Sequence, residues 1–315
     1  MTGRHPSSLP LARAGAHDHR ITWSPADFPC RTVVPDGPAG AADPLLVLGG
    51  GLQNRHSWAR FERRTASRFP LVIPDLPAAR TPGQDVPSLD WDDLTDAALR
   101  VMDQLRIRRF AVLGVSSGYP IGYRLAQRHP DRVTRLMLFG ASPRPAPRLA
   151  KLIGEGLRRE AGRRAPASSA EDAPARLRAA EELVGVLTNP EAAERHLLIR
   201  AAGRVVLDQL AASPCDPLVR YVHDRGFLLL RDPLPPGGIH GVPSLVGVGE
   251  FDTATTVADN RAVASTISRA TFVVMENADH LLHMERDADF AALVTLFLGG
   301  RPLSALRQCT VEAMP

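Results

Sequence analysis

Short apolar stretches recur along the chain, and segments with helical spacing lie between them. Most of these stretches lack alternation of apolar and polar positions; they occupy residues 45–48, 71–73, 110–115, 136–139, 245–248 and 272–275. Such runs are typical of strands that are covered on both faces of a parallel sheet. Residues 90–105 carry their apolar positions on one face of a helix, and Asp90 can cap its start. The pattern predicts an α/β fold with a doubly wound, mostly parallel sheet.

The pattern changes between residues 143 and 238, where helical spacing replaces the short apolar runs. Helices are expected over 146–162, 171–188 and 190–211, and Asn189 can cap the last of them. Only 227–230 has the composition of a further buried strand in this region. We therefore expect a helical insertion over 143–238, after which the sheet resumes.

The remaining residues, 1–142 and 239–315, are expected to form one core domain. The segments 20–23 and 31–34 flank turn-rich residues and are expected to form an antiparallel pair where the chain enters the sheet. The end segments 1–18 and 300–315 are expected to be disordered or irregular tails.

Composition excludes several functional classes. The chain has 315 residues, a formal net charge of +4 and only 5% aromatic residues, and its arginines are interspersed with acids, so nucleic-acid binding is not expected. The three cysteines are far apart and are interpreted as ordinary thiols, with no metal site and no cofactor expected. No apolar run approaches the roughly 18 to 20 residues of a membrane span. The first residues lack the apolar core of a secretory signal, so a cytoplasmic protein is expected.

The stretch FAVLGVSSGYPIG, residues 110–122, contains the pattern G-x-S-x-G. Gly114 and Gly118 flank Ser116 at the point where a strand is expected to turn into a helix. A nucleophilic serine on such a sharp turn needs neighbours without bulk, and the start of the following helix stabilises negative charge. The alternative is a turn serine with no chemical role. Ser117 offers a second hydroxyl, but its place in the pattern favours a role for its backbone N–H.

A serine nucleophile requires a base and an acid that orients the base. Asp252 follows the strand expected near 245–248, and His280 follows the strand expected near 272–275. Both loops would lie at the same sheet edge as Ser116. The order Ser116, Asp252, His280 is the one expected for a nucleophile of this kind. Glu250 competes with Asp252 for the role of the acid.

Two further histidines lie near these segments. His56 follows the glycines after the first buried strand and is interpreted as a surface or pocket residue. His283 lies one helical turn beyond His280 and is expected to pack or to face solvent.

Together, the strand, the G-x-S-x-G turn, the helical insertion and the two later loops resemble the α/β-hydrolase superfamily, in its serine-nucleophile branch with a helical cap. The resemblance covers about residues 20–298. It implies an oxyanion hole made by the N–H groups of Gly51 or Leu52 and of Ser117. Gly49 stands where the family often has a histidine. The segment 75–80 lacks both glycines of the family's D-x-P-G-x-G pattern.

The resemblance implies acyl transfer through an acyl-enzyme, with a small-molecule ester or thioester as substrate. An esterase or thioesterase is the first expectation. An acyltransferase that moves an acyl group from a carrier-protein or coenzyme A thioester to an alcohol is the alternative. An acidic acyl carrier protein would then be a partner, and basic residues between 148 and 164 offer a surface for it. A non-covalent binding protein or a cyclase is the alternative of another class. Serine in place of aspartate at position 116 argues against epoxide hydrolase and haloalkane dehalogenase chemistry.

Overall fold

The strands of the protein assemble into one mixed sheet. The computed structural model describes residues 14–36, 43–79, 88–162 and 173–315. The strands in these residues are β1 (Gly15–Ile21), β2 (Phe28–Val34), β3 (Leu45–Leu48), β4 (Leu71–Pro74), β5 (Phe110–Val115), β6 (Val133–Phe139), β7 (Ser244–Gly249), β8 (Thr271–Met275) and β9 (Cys309–Ala313). Their order across the sheet is β1-β2-β4-β3-β5-β6-β7-β8-β9. The strands from β3 to β8 pair in parallel, whereas β1, β2 and β9 run antiparallel at the edges.

Helices cover both faces of the sheet. The helices of the described residues are α1 (Ala59–Thr65), α2 (Trp91–Gln104), α3 (Tyr119–Arg128), α4 (Pro147–Gly162), α5 (Ala173–Leu187), α6 (Pro190–Arg195), α7 (Leu197–Ala211), α8 (Pro217–Asp224), α9 (Val257–Ala264), α10 (Leu282–Glu285) and α11 (Asp287–Leu298). Leu46 and Leu48 of β3 belong to the hydrophobic cluster that contains α2, α3 and α9. Leu45 and Val47 belong to the cluster that contains α1 and α11. Alternate strand residues therefore face different helical layers, and the predicted doubly wound α/β fold is confirmed.

The region between β6 and β7 contains α4 to α8. The predicted helix over 146–162 matches α4 closely. The single helix expected over 190–211 is wrong, because His196 has extended backbone angles and divides it into α6 and α7. The His196 ring packs on Phe251, with ring centroids 4.9 Å apart. Phe251 lies in the loop after β7, so the break in the helix occurs where the chain contacts the core domain.

Residues Gly226–Leu230 form a short 3₁₀ helix, not the strand considered for 227–230. No neighbouring strand of the described sheet pairs with them. Their backbone is instead held by α2, because the Trp91 indole N–H donates to Leu228 O and Arg231 O, at 3.1 Å in each case. Residues Gly226, Phe227, Leu228 and Leu229 are buried without a sheet partner, whereas Leu230 is exposed.

The ends of the chain differ from the expected tails. Residues 1–13 lie outside the described residues, but residues 15–18 belong to β1, which pairs antiparallel with β2 as expected. The first strand begins earlier than predicted and ends at Ile21, before the predicted end at residue 23, and the second begins at Phe28 instead of residue 31. The expectation of a disordered or irregular segment over 300–315 was wrong for its last part. Residues 309–313 form β9 and pair with β8, and Met314 N donates to Ala270 O at 2.8 Å. This strand satisfies the open edge of β8, a contact between distant segments that local patterning does not reveal.

Neither a membrane-crossing segment nor a metal cluster is found in the described residues. No helix there has the length and apolar character required to cross a bilayer. No group of His, Cys, Asp and Glu side chains in the same residues is arranged to hold a metal ion.

Asn260 of α9 ties the end of β6 to the loop after β7. Its side chain is fully buried, accepts from Ala141 N at 2.7 Å, and donates to Thr255 O and Thr256 O at 2.9 and 3.0 Å. We expect Asn260→Leu to lower the free energy of unfolding by about 3 kcal/mol, because two buried backbone groups and one half-buried carbonyl lose their partner. Urea denaturation measures this change. Ser265→Ala, at the exposed end of the same helix, is the control and should cost less than about 0.5 kcal/mol.

Candidate active site

Four loops meet at the carboxyl edge of the parallel strands. They follow β3, β5, β7 and β8, which are all parallel and close in the sheet order, so their ends lie at one edge. These loops carry the glycines 49–51, Ser116, Asp252 and His280. The structure therefore brings together the segments that the sequence singled out.

Ser116 lies on a sharp turn between β5 and α3. Its φ is +50°, an uncommon value for a residue other than glycine, and its side chain is half-buried. A Cβ at Gly114 would lie 2.9 Å from Gly118 O, and a Cβ at Gly118 would lie 2.1 Å from Leu48 O. Both glycines are thus required by close backbone approach, which agrees with the spacing of the G-x-S-x-G pattern.

A continuous series of hydrogen bonds leads from Ser116 into the protein. The Ser116 Oγ lies 3.1 Å from His280 Nε2, and His280 Nδ1 lies 2.9 Å from Asp252 Oδ2. Because a carboxylate oxygen accepts, Nδ1 carries the proton and Nε2 is free to accept from the serine hydroxyl. Asp252 is fixed by further donors: Ala254 N and Thr255 N bind Oδ1 at 2.9 and 2.8 Å, and the Thr255 hydroxyl binds Oδ2 at 2.8 Å.

The competing acid, Glu250, lies elsewhere. It is exposed, and its carboxylate accepts from Asn277 N at 2.9 Å. Asp252, in contrast, has a fully buried side chain in contact with the imidazole. The structure brings Asp252, and not Glu250, to His280.

The electrostatic environment of His280 combines two opposing effects. Burial alone lowers the pKa of His280, but the charge of Asp252 and the hydrogen bond to it raise the pKa, and the net result is a pKa above its ordinary value of 6.5. Charges on Asp279 and Glu285 act in the same direction as Asp252. The imidazolium form is therefore stabilised relative to a histidine in water.

Two buried acids behind His280 were not anticipated from the sequence. Asp279 accepts from His280 N at 2.8 Å and also from Asn189 N. Glu285 accepts from Asp279 N at 2.6 Å and from Leu281 N at 3.2 Å. Burial raises the pKa of both carboxyl groups. Their hydrogen bonds fix the backbone that presents the imidazole.

Gly140 is another residue that sequence reasoning missed. It follows β6 with a φ of +63°, and a Cβ there would lie 3.0 Å from His280 Cε1. The ring of His280 therefore lies directly against backbone, and the glycine type at position 140 was the available signal.

The loop after β3 lies against the nucleophile turn. A Cβ at Gly50 would be 3.0 Å from Ser116 Cβ, and one at Gly51 would be 3.6 Å from Ser117 Oγ. Leu52 has a φ of +71°, which curves the loop back. Within the described part of the chain, no hydrogen bond uses the N–H of Gly51 or Leu52. Ser117 is buried, and its hydroxyl has no hydrogen-bond partner among the described residues.

The two additional histidines have different surroundings. His56 is exposed, and its backbone N–H donates to Asn54 Oδ1 at 2.9 Å, so it does not join the series. His283 is buried and packs against Trp58, with ring centroids 5.2 Å apart. Of the two expectations for His283, packing or facing solvent, this contact agrees with the first.

Segments of α4 to α8 contact the same edge of the core. The Tyr221 ring would lie 2.7 Å from a Cβ at Gly51, so it covers that residue. Asn189 Nδ2 donates to Phe251 O at 3.1 Å, next to Asp252. Ala79 N donates to Asp224 O at 2.7 Å, which closes the segment after β4 without the two glycines of the family pattern. Arg80, the last residue of that pattern, lies outside the described residues.

The basic residues expected to offer a docking surface are partly neutralised. Arg158 and Arg159 both pair with Glu155, at 2.8 and 3.1 Å. Arg163 and Arg164, at the end of that row, lie outside the described residues.

Comparison with known proteins places these features in a family context. The model of the alpha/beta hydrolase family matches residues 45–293. A 2-hydroxymuconate semialdehyde hydrolase from Pseudomonas sp. (strain CF600) is 28% identical over 295 residues, which cover 85% of this chain and 91% of that enzyme. A fluoroacetate dehalogenase from Burkholderia sp is 30% identical over 109 residues, and this match spans 33% of this chain and 36% of the dehalogenase.

Among solved structures, a thermophilic esterase from Thermogutta terrifontis is similar with a TM-score of 0.66. The sequence identity is 21%, and the match covers 90% of this chain and 98% of the esterase. At this identity the likeness describes the shared fold.

The close approach at Gly118 leads to a steric prediction. We expect Gly118→Ala to lower the free energy of unfolding by at least about 2 kcal/mol, because the new methyl group collides with the backbone carbonyl of Leu48. Chemical denaturation tests this. Gly185→Ala is the matched control: nothing lies within 4 Å of a Cβ at this α5 position, and alanine should raise stability by about 0.5–1 kcal/mol. Equal effects of both substitutions would contradict the steric argument.

Proposed function

Because the chain belongs to the alpha/beta hydrolase family, we propose that it is a serine-dependent acyl hydrolase acting on esters or thioesters. The observation that carries the proposal is the hydrogen-bonded series from Ser116 through His280 to Asp252, with distances of 3.1 and 2.9 Å. A hydroxyl is a poor nucleophile at neutral pH, and an imidazole that accepts its proton activates it. In this arrangement Ser116 is the nucleophile, His280 the general base and Asp252 the acid that orients the base.

The reaction then proceeds through an acylation and a deacylation step, and in each of them the same imidazole takes up one proton and gives one back. His280 Nε2 takes the hydroxyl proton while Ser116 Oγ attacks the carbonyl carbon, and the carbonyl oxygen becomes negatively charged. The tetrahedral intermediate collapses, the imidazolium gives its proton to the leaving alcohol or thiol, and an acyl-enzyme remains. Water, activated by the same imidazole, releases the acid and restores the serine.

The negative charge on the carbonyl oxygen requires donors that are already in position. The N–H of Ser117 and the N–H of Gly51 or Leu52 are the proposed donors, since they lie on the two loops that meet at Ser116. Each donor of this kind is worth about 3 kcal/mol where one has been removed in a related reaction.

The helices between β6 and β7 are proposed to be a cap that shapes the substrate site, corresponding to residues 143–238. The contacts of Tyr221 with Gly51 and of Asn189 with Phe251 support this interpretation, because they join the helical segment to the loops after β3 and β7. The size and polarity of the acyl group accepted would then depend on residues of α4 to α8.

Dehalogenation is disfavoured although one relative is named a fluoroacetate dehalogenase. Attack by a serine hydroxyl on an alkyl halide would leave an ether on Ser116, and the hydrogen-bonded groups described here offer no route to hydrolyse an ether. Attack on an acyl group leaves an ester, which the same groups hydrolyse. Serine chemistry therefore favours acyl substrates over alkyl halides.

The first prediction of the proposal concerns covalent labelling. A broad fluorophosphonate should add once to the native chain, as measured by intact mass, and should not add to Ser116→Ala or His280→Ala. Ser117→Ala is the matched control and should still be labelled, since the Ser117 hydroxyl has no partner to lose. Unlabelled native protein would then be offered activated esters, thioesters and 2-hydroxymuconate semialdehyde, with and without an alcohol acceptor.

Other outcomes distinguish the alternatives. Faster turnover with an alcohol than with water would indicate an acyltransferase. Absence of an adduct on folded native protein, together with retention of an unchanged ligand, would contradict the hydrolase proposal and indicate a binding protein or a non-covalent cyclase.

The second prediction concerns pH. Since the base must be neutral, kcat/KM should rise as pH increases through the pKa of His280, which lies above 6.5. In Asp252→Asn the attraction to the imidazolium is lost and burial dominates, so the acidic limb of the profile should move to lower pH. The same variant should lose about 10⁴-fold in kcat, because the imidazole loses the carboxylate that selects its tautomer. An unchanged acidic limb in this variant would argue against the pairing.

A further inference from the structure

A second hydrogen-bonded series lies behind the loop after β3. Gly50 N donates to Gln53 Oε1 at 2.6 Å, and Gln53 Nε2 lies 2.6 Å from His283 Nε2. The series joins two segments separated by 230 residues in sequence, and it ends one helical turn beyond His280. None of its members takes part in the proton transfers described above.

The chemistry of the groups fixes the direction of each bond. A backbone N–H can only donate, so the Gln53 oxygen must face Gly50 and its NH₂ group must face His283. The NH₂ group can only donate, so His283 Nε2 must be the acceptor. The proton of the neutral imidazole is therefore on Nδ1.

This tautomer leaves a buried group without a partner. His283 Nδ1 has no hydrogen-bond partner among the described residues, and the ring packs between Trp58 and Phe290, with centroid distances of 5.2 and 6.2 Å. Burial, together with the neighbouring His280, lowers the pKa of His283 to about 3, so the ring stays neutral. An apolar residue would suit this packing better, and an unsatisfied buried N–H calls for a reason other than stability.

The Gln53 side chain fills the space next to Gly49. A Cβ at Gly49 would lie 3.0 Å from Gln53 Oε1 and 3.2 Å from Gln53 Cβ. A Cβ at Gly50 would meet Ser116 Cβ at 3.0 Å, so the Gly50 peptide is in contact with the nucleophile turn. A shift of Gln53 would therefore move the loop relative to Ser116.

We propose that Gln53 and His283 are positioning residues that hold the loop 49–53 at the distance from Ser116 required for the oxyanion donor. This inference rests on the proposed function. By binding the N–H of Gly50, the Gln53 amide turns that group away from the substrate and leaves the N–H of Gly51 or Leu52 to face the carbonyl oxygen. His283 Nε2 accepts from the Gln53 amide and so fixes its orientation. Neither side chain contacts the reacting atoms.

The test compares variants that remove the series with variants that keep it. Gln53→Met and His283→Leu remove it, whereas His283→Gln retains an acceptor where Nε2 lies. Met284→Leu, in the same helix, is the packing control. The measurements are kcat and KM on an activated ester, the Ki of a trifluoromethyl ketone that forms an oxyanion on the serine, and hydrogen exchange of the Gly50 amide.

We expect Gln53→Met and His283→Leu to lower kcat by about tenfold to a hundredfold, less than the loss of a donor itself, with KM nearly unchanged. The Ki of the ketone should rise by the same factor, and the Gly50 amide should exchange faster. The double variant should lose no more than the worse single variant. His283→Gln and Met284→Leu should stay within about threefold of native kcat. The midpoint of thermal unfolding of His283→Leu should remain within about 5 °C of native.

Three results would overturn the inference. Native kcat and Ki in both Gln53→Met and His283→Leu would show that the series does not position the loop. Equal losses in Met284→Leu would indicate general packing. Unchanged exchange of the Gly50 amide would deny the hydrogen bond itself. This last measurement does not need activity, so it tests whether the series holds the loop independently of the labelling experiment, which tests the proposed function.

Discussion

The close approach of Gly118 to the backbone carbonyl of Leu48 is the constraint on which the site depends. At Gly118 the helix that follows β5 approaches β3 so closely that even one methyl group would collide with that carbonyl. The turn between β5 and α3 is confined to residues Ser116–Gly118, and Ser116 has a positive φ in this turn. The cost of such a conformation, about 1–3 kcal/mol, must be offset by the surrounding structure. The buried parallel strands on either side of β5 supply that support, since all six residues of β5 are buried.

The same edge of the sheet concentrates acidic groups around one imidazole. Asp252 contacts His280 directly, and its negative charge is compensated by two backbone N–H groups and a hydroxyl. Asp279 and Glu285 lie behind His280, and burial raises the pKa of Asp279 to about 6 and that of Glu285 to about 8, so near neutral pH the protonated form is favoured at Glu285 but not at Asp279. Negative charge on Asp252 and Asp279 stabilises the imidazolium, and Asp279 and Glu285 also accept backbone hydrogen bonds that shape the loop.

The sequence predicted those features that depend on local pattern. Apolar runs without alternation identified the parallel strands, and the glycines around Ser116 identified the turn, because both signals lie within a few residues. The single helix over 190–211 and the irregular tail over 300–315 were wrong for the opposite reason. The break at His196 depends on a contact with Phe251, and β9 depends on the open edge of β8. Neither partner is near in sequence, and local propensity carries no information about such pairs.

The same argument explains why part of the candidate site escaped prediction. Asp252 and His280 could be found because each follows a strand that ends at the known edge of the sheet. Gln53 and His283 could not be paired, since 230 residues separate them and each looks like an ordinary polar residue of a loop or a short helix. Gly49, noted as a glycine where the family often has a histidine, was the only local signal. Its meaning became apparent once the space next to Gly49 was seen to hold the Gln53 side chain. The glycine at position 49 thus leaves room for the side chain of Gln53, and the hydrogen bonds of that side chain determine how the loop is held.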